Sequence, residues 1–349
     1  MKRPNPYRER ILFEAAIQRR QRIWDKRNFH KLERRKFRAF VAVISAPLVV
    51  SLEDPDHHAA VTTFCAKLRK TIYHERKSTL IDFSDTKKFV SGGTLLIFAE
   101  ISRLLELTSG KVQVNCLTPR NGKASQVLKQ IGLYRLFKKR VPIQATSADV
   151  VRWCAATGVG AEGRKFEPVL GPYDGKITRS LSTGLFNNIT EAMTNTGQHA
   201  FIKPRKDNIP HGHQVQRWWM FSQERDNFLS VVICDLGAGI PETLHIKYPT
   251  VVQNLQSSLG LKIKDSAYLS EAIKLGHSRT GQSFRGKGLY RMVRLVEQMD
   301  GGELLIYSNS GRLRVSNKKI ITNDYPDSLF GTIIFFRVPL DADPVIYEH

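Results

Sequence analysis

Four short stretches in the C-terminal half of this chain carry residue types that could act together on a phosphorylated ligand. Within residues 187–200, Glu191 and Asn195 stand four apart, so a helix puts a carboxylate and an amide oxygen on one face, within reach of one small site. The apolar run 228–234 delivers Asp235 into Leu236-Gly237-Ala238-Gly239-Ile240-Pro241, where a buried carboxylate can accept from a donor such as an adenine amino group. Gly286-Lys287-Gly288-Leu289 opens an apolar helical stretch over 290–299. Glycines at a helix start let backbone amides approach phosphate oxygens, and the helix dipole favours the anion there. Last, Gly331-Thr332 opens a closing strand that runs to Pro339. Taken singly, these stretches also fit an exposed helix face, a glycine turn with a capping aspartate, a plain helix start and an ordinary strand.

The elements that must position these residues can be read around them. A helix over 177–200 carries Glu191 and Asn195, and two apolar strands, 217–222 and 228–234, joined by a polar turn, lead to Asp235. A stretch rich in glycine, serine and arginine, 277–285, precedes Gly286, and after Gly301-Gly302 a strand over 303–308 comes before the strand that starts at Gly331.

In their order and spacing the four stretches resemble the N box, the two glycine boxes and the terminal Gly-Thr strand of the GHKL superfamily. These are the Bergerat-fold ATP-binding domains of histidine kinases, anti-sigma-factor kinases, gyrases and heat-shock chaperones, and the likeness covers residues 176–341. The stretch with Glu191, Asn195, His199 and Ala200 is most similar to the anti-sigma-factor kinases. The resemblance implies an α/β sandwich, a mixed sheet covered by helices, that binds ATP and magnesium. It implies that Asn195 coordinates the magnesium bridging the phosphates, that Asp235 accepts from the adenine amino group, and that Gly237 and Gly239 let the chain pass close to the base. Thr332 would support the adenine site through its hydroxyl, and Glu191 would be the general base for water or a substrate hydroxyl. Gly286, Gly288 and the amide of Leu289 would hold the phosphates under a mobile lid over 242–285, and His199 reads as structural. The sequence departs from the family where Phe284 stands in place of a glycine and where Lys287 fills an apolar slot; Lys287 either adds a phosphate contact or faces solvent. No phosphoacceptor-histidine helix pair precedes this region, which disfavours an autophosphorylating histidine kinase.

Upstream, apolar runs alternate with helical patterns, as in an α/β domain: strands over 41–50, 78–83 and 111–116, helices over 59–74, 93–107 and 125–137. With Leu80 to Asp82, a connector ending Ser91-Gly92-Gly93 ahead of a leucine-rich helix, and a later helix ending Ile131-Gly132-Leu133-Tyr134-Arg135-Leu136-Phe137, residues 41–140 resemble a STAS domain, the anti-sigma-factor-antagonist module. In that family a serine ahead of the helix is phosphorylated by a GHKL kinase, and Ser91 stands near that place. The acidic residue expected before it is missing from Lys88-Phe89-Val90-Ser91, so Ser91 is a candidate phosphoacceptor or simply a helix cap. Residues 141–175, with Pro142, Pro168 and Pro172, read as a linker with some local packing.

The first forty residues hold fourteen cations against four acids, with Phe13, Ile17 and Trp24 at helical spacing. This basic helical segment packs on the next domain or meets nucleic acid, a membrane face or a partner. The net charge of +22 over 349 residues points the same way, toward polyanions. Four scattered cysteines form no Cys-x-x-Cys pair, and the paired histidines lack partners at zinc spacing. With no apolar run of membrane-crossing length and a first segment broken by charge, the expected location is the cytoplasm. The function expected is an ATP-dependent regulatory switch, a serine/threonine kinase for a STAS-type or other regulatory protein or an ATPase. A non-catalytic nucleotide-dependent adaptor and a nucleic-acid-associated ATPase remain as alternatives.

Overall fold

The computed structural model describes residues 40–147, 150, 153–161, 167–209, 216–260, 262–278 and 288–344. The basic segment up to residue 39, Gly286 and Lys287 lie outside them. The chain is α/β. What the sequence offers as one strand over 41–50 is two, β1 (Ala42–Ser45) and β2 (Val49–Val50), because Pro47 between them has no N–H for a ladder. Helix α1 (Pro55–Leu68) starts where Asp54 accepts from the His57 N–H at 2.9 Å and a proline fills the first turn, and it runs on into a π-helical turn, Arg69–His74. There follow β3 (Thr79–Asp82), β4 (Lys88–Phe89), α2 (Ser91–Thr108), β5 (Val114–Leu117), α3 (Gly122–Gln130) and α4 (Leu133–Leu136). Strands β1, β3 and β5 form a parallel sheet in that order, and β2 pairs with β4. The single helix expected over 125–137 is divided at Gly132, whose φ of +82° turns the chain.

Residues 141–175 are more than a linker. They supply β6 (Trp153–Gly158), which pairs antiparallel with β7 (Trp218–Arg225) as an edge strand, and α5 (Glu167–Leu170) with a 3-10 turn, Gly171–Tyr173, whose Val169 and Tyr173 are buried. Between them and β7 comes α6 (Arg179–Asn195), continued by a second π-helical turn, Thr196–Ala200. The rest of the chain is β8 (Phe228–Asp235), α7 (Ile240–Lys247), α8 (Pro249–Leu259), α9 (Asp265–Ser278), α10 (Gly288–Glu297), β9 (Glu303–Ser308), β10 (Gly311–Ser316), β11 (Lys319–Asp324) and β12 (Thr332–Pro339).

The large sheet runs β11-β10-β9-β12-β8-β7-β6, and every pair in it is antiparallel, where a mixed sheet was expected. Tight hairpins account for much of this. Asp226 and Asn227 join β7 to β8, and Asn317 and Lys318 join β10 to β11, all four with positive φ, as a two-residue turn matched to strand twist requires.

The central strands of this sheet are covered on both faces, which is why β7, β8 and β12 read as near-continuous apolar runs, whereas the edge strand β11 is exposed. Trp218, Met220, Ile233, Ile334 and Phe336 point into a core shared with α6, α9 and α10. Their neighbours Trp219, Phe221, Val232, Cys234 and Ile333 point the other way, into one core with the N-terminal half. Helix α2 lies against β7, β8 and β12 there, and its Phe98 meets Phe221 edge-on at 5.4 Å.

A buried ion cluster sits on the same junction. Arg69 reaches Glu100 of α2 at 2.6 Å, Arg103 of α2 reaches Asp207 at 2.5 Å, and Arg205 binds both Glu100 and Asp207. Burial alone would raise the Glu100 carboxyl, but Arg205, Arg69 and Arg103 together hold it down at about 2. Farther along the sheet, Tyr325 donates to the Leu52 carbonyl at 3.2 Å and stacks on His58.

Candidate functional site

Thr178 caps α6 by accepting from the Leu181 N–H at 3.2 Å. Leu181, Leu185, Ile189 and Met193 bury one face of the helix against the sheet, which leaves Glu191 and Asn195 on a face that lines a cleft. At Asn195 the α-helix gives way to the π-helical turn, a feature that recurs at functional sites. The Ala200 carbonyl at its end accepts the Ala238 N–H at 2.7 Å, so the loop after β8 is tied to the helix carrying Glu191. That approach needs Gly237, because a Cβ there would stand 2.3 Å from the Ala200 oxygen.

Strand β8 ends on Asp235, opposite Thr332 of β12 in register. The Asp235 carboxylate accepts the Gly237 N–H at 3.0 Å. Burial pushes its pKa up to about 7, against the pull of the Gly237 and Thr332 amides and the Arg205 charge. The Thr332 hydroxyl lies 3.1 Å from that of Ser308, which also accepts the Ile240 N–H at the start of α7 at 2.8 Å. Asn309 clamps two loops at once: its amide donates to the Ala238 carbonyl at 3.0 Å and accepts the Gly331 N–H at 3.2 Å.

On the opposite wall, α10 begins against Glu191, and a Cβ on Gly288 would stand 2.3 Å from the Glu191 Cγ and Oε1. Burial raises the Glu191 pKa, partly offset by Arg291. A carboxyl raised in this way is a better proton acceptor than an ordinary glutamate.

Glu191, Asn195, Asp235, Gly239, Gly288, Leu289 and Thr332 therefore border one cleft, which encloses about 840 Å³ up to and including its open mouth. Gly237 stands behind the wall, and Ser91 lies away from the cleft, at the start of α2, with 7% of its surface exposed. His199, expected to be structural, also lines the cleft, with its Nδ1 against the Lys247 ammonium.

Of the lid expected over 242–285, residues 261 and 279–285 lie outside the described residues; the rest forms α7, α8 and α9, and α9 packs Leu269 and Ile273 into the core beside the sheet. The start of α9 is anchored, with the Ser310 N–H donating to Asp265 at 2.9 Å and the Ser266 N–H to Asp324 at 3.0 Å. Sequence reasoning passed over Asn309, Ser308, Thr243 and Tyr248. Of these, only the Ser308-Asn309-Ser310 turn, where Asn309 takes a positive φ, had a local signal to find.

Among the described residues, no three His, Cys, Asp or Glu side chains converge as a metal cage. Nor is any helix among them long and apolar enough to cross a membrane. Compared with protein-family models and with curated proteins, the chain matches none.

Proposed function

We propose that the chain is a cytoplasmic Mg-ATP-binding switch of the GHKL type, a STAS-like half fused to a Bergerat-type ATP-binding half, that acts as a serine/threonine kinase on a STAS-type protein or as an ATPase. The observation that carries this is the convergence of Glu191 and Asn195, Asp235, Gly288 and Leu289, and Thr332 on one cleft, although the first and last are separated by most of the C-terminal half of the chain. The donor set fits the ligand. Asp235 and Thr332 form a polar end suited to the amino edge of adenine, walled by Ile240, Leu244 and Ile334. The Asn195 amide oxygen is the hard donor that magnesium takes alongside phosphate oxygens. Magnesium, when bound, neutralises phosphate charge. Gly288 and Leu289, the first residues of α10, line the same cleft, and a helix N-terminus favours an anion. Glu191, its pKa raised, takes the proton of the attacking water or hydroxyl.

The burial of Ser91 favours water or a hydroxyl on another protein over Ser91 itself as the acceptor. The test follows γ-labelled ATP with magnesium on the parent, Glu191→Ala and Asp235→Ala. The parent should bind ATP. Glu191→Ala should keep binding but lose about 10²-fold or more of turnover, and Asp235→Ala should lose binding. Protein-bound label identifies a kinase and free phosphate an ATPase. ATP held without either product indicates the adaptor, and a parent that binds no ATP sinks the proposal.

A further inference from the structure

A second concave site lies far from the cleft, on the N-terminal half. Between Glu106 and Asp149 the sequence holds eight cationic residues and no acidic one. The fold gathers four of them around one cavity of about 1140 Å³, open to solvent: Lys129 of α3, Arg135 of α4, and Lys139 and Arg140 just beyond. No acidic side chain is among the residues that line it. Two of the cations are fixed in place, Lys129 donating to the Val141 carbonyl at 2.8 Å and Lys139 to the Cys116 carbonyl at 2.6 Å. Burial lowers the Lys139 ammonium to about 8, so it is still mostly charged near neutral pH while held partly out of water.

We propose that this cavity seats a phosphate of a nucleic-acid backbone, with Arg135 and Arg140 as forked donors and Lys129 and Lys139 as point charges. A planar guanidinium matches a phosphate through two parallel hydrogen bonds, and both arginines are exposed. A long polyanion fits better than a single phosphate, because Lys111, Lys123 and Lys138 of the same stretch are exposed as well. A lipid surface fits worse. Membrane-docking faces join cations to apolar side chains that enter the acyl boundary, and the exposed large apolar residues described, Val41, Val43 and Leu48 among them, all lie outside this stretch. Contacts to phosphate carry no base information and release counterions, so binding at this site is steeply dependent on salt and shows little preference for sequence.

The experiment uses the full chain and a labelled 20-nucleotide single strand and its duplex, followed by fluorescence anisotropy across a salt series. The double variant R135E/R140E should bind about 10-fold or more weakly at low salt, and the slope of log affinity against log salt should fall by about 2. Arg135→Gln with Arg140→Gln should show an intermediate loss. Thermal midpoint and ATP affinity should stay at parent values, which separates this site from the cleft and from any failure to fold. Binding unchanged in R135E/R140E overturns the proposal and assigns the nucleic acid to other cations, such as those of residues 1–39. So does a parent that binds phosphatidylserine vesicles or poly-glutamate but neither oligonucleotide.

Discussion

Asp235 is held at a price in stability, and the sign can be followed through. Its carboxyl titrates at about 7 in the folded chain and near 4 when unfolded, so between these values the folded state binds the extra proton. Stability therefore falls as pH rises from about 4 to 7 and stays reduced above. Asp235→Asn removes that loss. The variant without nucleotide should be more stable than the parent at pH 8, by an amount on the order of 2–4 kcal/mol, with the gap closing by pH 5 in thermal melts. In the parent, nucleotide affinity should rise from pH 6 to 8 as the carboxylate ionises, a rise the variant lacks. This residue was legible because a carboxylate at the end of an apolar strand, two before a glycine, is a local signal. Asn309 and Arg205 were not, since they act on segments distant in sequence, Asn309 on Ala238 and Arg205 on the Leu329 carbonyl at 3.0 Å.

The element scale turns on how the loop after β8 meets the π-helical turn. Gly237→Ala would place a methyl 2.3 Å from the Ala200 oxygen, and because backbone opposes backbone neither side can yield by changing a rotamer. The substitution should lower stability by about 2 kcal/mol and weaken nucleotide binding, read by denaturant titration and by calorimetry. Elements with strong periodicity, such as α2, α6 and β8, were readable from the sequence. Strand β6 was not, because Trp-Cys-Ala-Ala-Thr-Gly lacks a β-branched run and sits in a stretch of prolines and glycines. The β10–β11 hairpin was hidden by an Asn-Lys turn in place of the usual Asn-Gly. Helix α9 falls within the lid that the family resemblance implies, yet its Leu269 and Ile273 pack into the core beside the sheet.

Across the whole molecule, the sequence showed apolar strands but not that the N-terminal half covers one face of their sheet; that information lies in contacts between α2 and strands more than a hundred residues away. The ion cluster on the same junction gives a test. Removing one partner strands buried charges, so Glu100→Gln should cost about 3–5 kcal/mol at pH 7. Glu100 has its pKa lowered to about 2, so its contribution is complete above about pH 4.5 and is lost as pH falls toward 2. The difference between parent and variant should narrow over that range in urea melts. With one core spanning both halves, tryptophan fluorescence and circular dichroism should report one coincident transition in each protein. The shared core also bears on descent. A gene rearrangement that exchanged the front half for another would lay bare Trp219, Phe221 and Val232, so any replacement must arrive already shaped to that sheet. The seam along which this chain can be cut and rejoined lies in the complementarity of two surfaces, and no stretch of the sequence marks it.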